Sequence, residues 1–114
     1  MTIVVHGIPN CDTVKKARSW LDAQGILYRF HDFRKDGLDP AMLRAWVAES
    51  GWETVLNRAG TTFRKLPEAD RNDLDADKAV AIMLANPSAI KRPVVTGAGP
   101  VMIGFKPEIW AGRL

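Results

Sequence analysis

Residues 2–33 carry a β-rich run, a break, a helical repeat and a second β-like run, a succession that fits one parallel crossover unit. Residues 2–6 read as a buried strand. Gly7-Ile8-Pro9-Asn10 interrupts it, and Asn10 is a suitable N-cap, which would set Cys11 in the first helical turn. Val14, Ala17, Leu21 and Gln24 follow at helical spacing, with Lys15, Lys16, Arg18 and Asp22 on the polar face. Gly25 is placed to end that helix in the left-handed conformation. Residues 26–33 alternate loosely and read as a second strand.

The middle of the chain is helical. Asp39-Pro40 supplies an N-cap and a proline at the first helical position, Leu43, Trp46 and Val47 form the apolar stripe, and Gly51 closes the helix. Residues 53–57 read as one short helical piece, and residues 60–65 as a polar connector. Residues 75–86 predict another helix, with Ala79, Val80, Met83 and Leu84 inside and Asn86-Pro87 as its stop. The end returns to strands: residues 92–96 pair through the turn at 97–100 with residues 101–103, and Pro107 opens a last helix carrying Ile109 and Trp110. The order βαβ, helices, ββα predicts an α/β fold, a mixed sheet of about four strands with helices packed on it. Trp20, Trp46, Trp52 and Trp110 read as packing residues, and neither they nor His31 receives a ligand role.

A chain of 114 residues with 46% hydrophobic residues supports one core, so a single domain over residues 1–114 is expected. The formal charge of +3 is modest and spread along the chain, which suits small anions and argues against nucleic acid. No apolar run reaches membrane-spanning length and the N-terminus has no signal-peptide pattern, so a cytoplasmic protein with no membrane partner is expected.

The single cysteine excludes an intramolecular disulfide and a multi-cysteine zinc site, and no metal is expected. At a helix start, unpaired amides and the helix dipole favour a thiolate or a bound oxyanion. Thr13 adds a hydroxyl, whereas the Asp12 carboxylate opposes ionisation and calls for arginine from elsewhere in the chain. Val14 stands where a dithiol motif has its second cysteine, so any redox cycle is monothiol and needs an external thiol such as glutathione. Pro93 opens a strand after a helix, where a thioredoxin-like fold places a cis-proline facing its active cysteine. The residues alone leave Cys11 open between a catalytic thiol and a small buried hydrophobe.

Three separated runs resemble one family. They are Gly7-Ile8-Pro9-Asn10-Cys11-Asp12-Thr13-Val14-Lys15-Lys16-Ala17, the stretch from Gly51-Trp52-Glu53 through Leu56-Asn57-Arg58 to Gly60-Thr61-Thr62-Phe63-Arg64-Lys65-Leu66, and Asn86-Pro87 with Ile90-Lys91-Arg92-Pro93-Val94. They are similar, in order and nearly end to end, to the arsenate reductase-like family, which includes the Spx and YffB subgroups, and the likeness is nearest to YffB. The resemblance implies a thioredoxin-like core with a helical insert. It implies that Cys11 is the nucleophile and that Arg58 and Arg92 bind an oxyanion. It further implies that Asn10, Thr13, Arg64, Pro93 and Lys106 line the substrate or glutathione site, with Arg64 near the glutathione carboxylates. Two positions depart from the arsenate reductases: Lys106 stands for their third arginine, and Gly7 for a histidine. The implied activity is glutathione-dependent monothiol reduction by a monomer, with a small oxyanion or disulfide as substrate and a glutaredoxin as a further partner. The Spx subgroup offers the alternative of a regulator that binds RNA polymerase.

Overall fold

The computed structural model describes residues 2–114 and divides into two compact units: residues up to Gly37 together with Arg92–Leu114, and Leu38–Lys91. In the first unit, β1 (Val4–Gly7), α1 (Asp12–Ala23) and β2 (Arg29–Asp32) form the expected crossover, and β3 (Val94–Thr96), β4 (Met102–Ile103) and α7 (Pro107–Arg113) complete it. The sheet has the order β2-β1-β3-β4; β1 pairs parallel with β2 and antiparallel with β3, and β3 pairs antiparallel with β4. This is the mixed four-stranded sheet that the element order predicts.

Register sorts the side chains between the two faces. Val5 lies opposite Val95, which lies opposite Met102, so all three share one face. On that face they form a core with Ala17 and Leu21 of α1 and Trp110 of α7. Trp20, Phe105 and Trp110 meet edge to face there, with Phe105 and Trp110 centroids 4.9 Å apart. Gly25, at φ +69°, ends α1 as expected: its amide donates to Asp22 and that of Ile26 to Leu21, the two bonds of a Schellman cap. That cap draws Ile26 into the helix end, so β2 starts only at Arg29 and is shorter than the apolar pattern of residues 26–33 suggests.

The opposite face holds His6, which is 5% exposed. Its Nε2 lies 3.0 Å from Thr96 Oγ1, and its ring centroid is 5.2 Å from that of His31, its register partner on β2. His31 in turn donates from Nε2 to the Gly37 carbonyl at 2.6 Å. Burial first, and the facing His31 second, push the His6 pKa from 6.5 down to about 4. The unfolded chain therefore binds a proton at this position that the folded chain does not, over the window from pH 6.5 to 4. The His6 contribution is intact above pH 6.5, and up to about 3 kcal/mol of stability is lost as the pH falls through that window. Urea unfolding at pH 7.0 and 4.5 checks this. The stability difference between wild type and His6→Leu is expected to change with pH, and a difference equal at both values contradicts the assignment.

The second unit is helical. It comprises α2 (Pro40–Ser50), α3 (Trp52–Val55), α4 (Thr61–Arg64), α5 (Glu68–Arg71) and α6 (Ala76–Ala85), followed by a 3-10 turn at Pro87–Ala89. Asp39 caps α2 by accepting from the Ala41 amide, as the sequence pattern indicates, and Asp75, read from the sequence as the first residue of the helix, instead caps α6 by accepting from the Lys78 amide. Gly51 takes φ +87°, which ends α2 and turns the chain directly into α3. Residues 60–65 correct the sequence reading: they form the one-turn α4 rather than a connector, with Phe63 buried. An isolated antiparallel bridge joins Leu56 to Ile90, flanked by Asn57 N–H donating to the Ala89 carbonyl and Lys91 N–H donating to the Val55 carbonyl, both at 2.8 Å.

Candidate active site

Cys11 is the N-cap of α1, not a residue of its first turn. The cause is local. The Cys11 amide donates to the Ile8 carbonyl at 3.2 Å, closing a turn with Pro9 in its second place, a position that proline's fixed φ favours. Asn10 is used inside that turn, so it is exposed and caps nothing. Cys11 leaves the turn extended, at φ −84° and ψ 126°, and its carbonyl accepts the first helical bond from Lys15 at 2.9 Å. An N-cap side chain is placed to reach the amides of the first turn, which have no intrahelical acceptor. Cys11 is half-buried and free, and its side chain makes no capping bond. Thr13 is exposed one residue into the helix, and Val14 is fully buried.

The sheet register then gathers several of the expected residues. His6 pairs with Val94 in antiparallel sense, so β1 ends where β3 begins. The loop carrying Asn10 and Cys11 therefore leaves the sheet at the end where Arg92 and Pro93 enter it. The Arg92–Pro93 bond is cis, Pro93 is buried and Arg92 half-buried. Gly104 N–H donates to the Pro93 carbonyl at 2.8 Å, which brings the start of the segment leading to the exposed Lys106 to the same end. Arg58 and Arg64 belong to the helical unit: Arg58 follows the Leu56 bridge and Arg64 ends α4, both exposed.

The arginines differ in what already holds them. Arg18 bonds Tyr28 Oη, Arg44 pairs with Asp77, Arg71 bonds the Leu66 carbonyl, and Arg113 bonds the carbonyls of Ala98 and Pro100. Among the described residues, no hydrogen bond or ion pair engages the guanidinium of Arg58, Arg64 or Arg92, and Arg29 on β2 is likewise unengaged. Their N–H groups remain available to an anion. Arg58 alone of these has a fixed partner, the Trp52 ring, with its Cζ 5.3 Å from the centroid. The sequence reading gives Trp52 no such contact, because a six-residue separation running past the end of α3 matches no helical spacing.

Gly7 has a packing reason. A Cβ there would come within 2.9 Å of Val14 Cγ2 and 3.9 Å of the Phe30 ring. A larger side chain at this position, such as the histidine of the arsenate reductases, would have to displace the β-branched Val14. His6 does not stand in for it, since it faces Thr96 and His31 across the opposite side of the sheet.

Residues 6–112 match the model of the ArsC family. The chain belongs to the ArsC family. Its fold follows that of the solved YffB protein, at 57% identity over 99% of both chains with a TM-score of 0.95. An arsenate reductase (ArsC) related protein from Brucella melitensis is similar at 52% identity, covering 98% of this chain and 93% of that one, with a TM-score of 0.80. The global transcriptional regulator Spx of Streptococcus mutans is 26% identical over 102 residues, covering 88% of this chain and 74% of the regulator. The thioredoxin-like α/β fold expected from the ArsC resemblance is thus the fold of this chain. Membership in the ArsC family supports a redox enzyme in general terms, and the likeness to Spx adds a regulator among its relatives. Among the described residues, no ArsC-family helix here is long and apolar enough to cross a membrane, and no cluster of metal-ligating side chains occurs.

Proposed function

We propose that this ArsC-family chain is a cytoplasmic, monomeric, glutathione-dependent monothiol reductase acting on small disulfides. The observation that carries this is the half-buried Cys11 at the N-cap of α1, on the sheet end shared with Arg92 and Pro93. The Cys11 thiolate attacks a disulfide R–S–S–G at the glutathione sulfur. The Cys11–glutathione disulfide forms and R–S⁻ leaves with the electron pair. A second glutathione thiolate attacks the glutathione sulfur of that adduct, releasing oxidised glutathione and restoring the Cys11 thiolate. Val14 makes this second thiol necessary, because it is an apolar side chain at 0% exposure where a dithiol enzyme has its resolving cysteine.

In this scheme Arg92 and Arg58 bind an oxyanion or an anionic group of glutathione, Arg64 lies near the glutathione carboxylates, Lys106 adds positive charge, and Asn10, Thr13 and Pro93 line the peptide. Disulfides are favoured over arsenate because the packing of Gly7 against Val14 leaves no room for the reductases' histidine, and Lys106 lacks a guanidinium fork. A glutaredoxin is the natural macromolecular partner of such a cycle.

Steady-state reduction of bis(2-hydroxyethyl) disulfide by glutathione, coupled to glutathione reductase, tests this. Turnover proportional to enzyme and rising to saturation with glutathione is expected. A rate no higher than that of glutathione alone contradicts it. The likeness to Spx favours one second reading, a regulator that binds RNA polymerase. Co-purification with the polymerase and no turnover would establish that reading in place of the first.

A further inference from the structure

We propose that Trp52 is a positioning residue for Arg58, holding its guanidinium at the angle from which it receives an anionic group of the substrate or of glutathione; this rests on the anion-binding role proposed above for Arg58. Arg58 is exposed and lies beyond the end of α3, where a long side chain would ordinarily sample many rotamers. Three features fix its base and its head. The bridge from Leu56 to Ile90 and the Asn57 amide bond to Ala89 pin the backbone just before it. Trp52 is anchored at the first residue of α3, where the positive φ of Gly51 turns the chain sharply out of α2 and the Trp52 carbonyl accepts from the Leu56 amide at 2.9 Å. The half-buried indole then faces the guanidinium at 5.3 Å.

The contact is with the ring face, no hydrogen bond or ion pair among the described residues uses the guanidinium N–H groups, and no described carboxylate competes for them. A salt bridge in the same place would hold the arginine equally well but consume the donors that an anion needs. An aromatic face orders the fork and keeps it available.

The test is a double-mutant cycle on the KM for glutathione in the disulfide assay. Arg58→Ala is expected to raise KM about ten-fold. Trp52→Leu, which keeps the apolar bulk, is expected to raise it about three- to five-fold with kcat nearly unchanged, Trp52→Phe to stay within about two-fold of wild type, and Trp52→Leu to add nothing in the Arg58→Ala background. If Arg58→Ala raises KM but Trp52→Leu does not, or acts equally in both backgrounds, the positioning role is overturned while the role of Arg58 stands. If Arg58→Ala leaves KM unchanged, the role of Arg58 fails and the positioning role with it. An independent readout needs no Trp52 variant: the Trp52 indole resonances should shift in Arg58→Ala, and unchanged resonances would overturn the contact itself.

Discussion

Replacing Cys11 with serine is expected to lower glutathione-dependent disulfide reduction by about a thousand-fold or more while leaving the fold intact. The chain has one sulfur nucleophile, and Val14 removes any neighbour able to substitute for it. A hydroxyl at the N-cap is itself a good capping group, so Cys11→Ser should match or slightly exceed the wild-type melting temperature. Residual turnover above about a tenth of wild type would show that the chemistry lies elsewhere. A normal melting curve beside lost turnover separates this outcome from simple unfolding.

The largest stability effect is expected at Gly97, in the β3–β4 turn. Its φ is +94°, and an added Cβ would lie 2.0 Å from the Thr2 carbonyl oxygen and 2.8 Å from the Thr2 carbonyl carbon. These are backbone atoms beside β1, which cannot swing aside as a side-chain tip can. Gly97→Ala should therefore cost about 3 kcal/mol or more, a large share of the stability of a domain this size. Gly37 is the control. It has a similar φ of +88° but nothing within 4 Å of its would-be Cβ, so Gly37→Ala should cost only about 1 kcal/mol. Urea unfolding of the two variants isolates the clash from the backbone term, and equal losses would contradict it.

Gly97 also marks the boundary between what the sequence carries and what it conceals. Local chemistry was legible where it is decided within a few residues. The cap at Asp39, the glycine stops at Gly25 and Gly51, and the proline opening α7 all emerge as read. So does the crossover at the front and the hairpin at the back, since alternation and turn residues set both. What the sequence hid depends on groups distant along the chain. Gly97 reads as a turn glycine, but the contact that forbids a side chain there comes from Thr2. Gly7 reads as a strand breaker, yet it closes β1 and is held bare by Val14.

The site followed the same division. Residue type alone sets Cys11 one position too far into the helix, because Asn10 is the better N-cap. The turn closed by Pro9 overrode that preference, and the correction matters chemically: the N-cap side chain is the one that faces the unpaired amides. The exit of the Cys11 loop beside Arg92 and Pro93 follows from the antiparallel register of β1 and β3, which the element order alone did not fix. The contact of the Arg58 guanidinium with the Trp52 ring has no signal in spacing at all.

Intact-protein mass spectrometry of the chain after incubation with oxidised glutathione tests the central claim most directly. One glutathionyl group should be found, mapped to Cys11 by peptide digestion, and removed by reduced glutathione. A chain that stays unmodified while Cys11 remains open to a small alkylating reagent would contradict glutathione-linked chemistry at this sulfur.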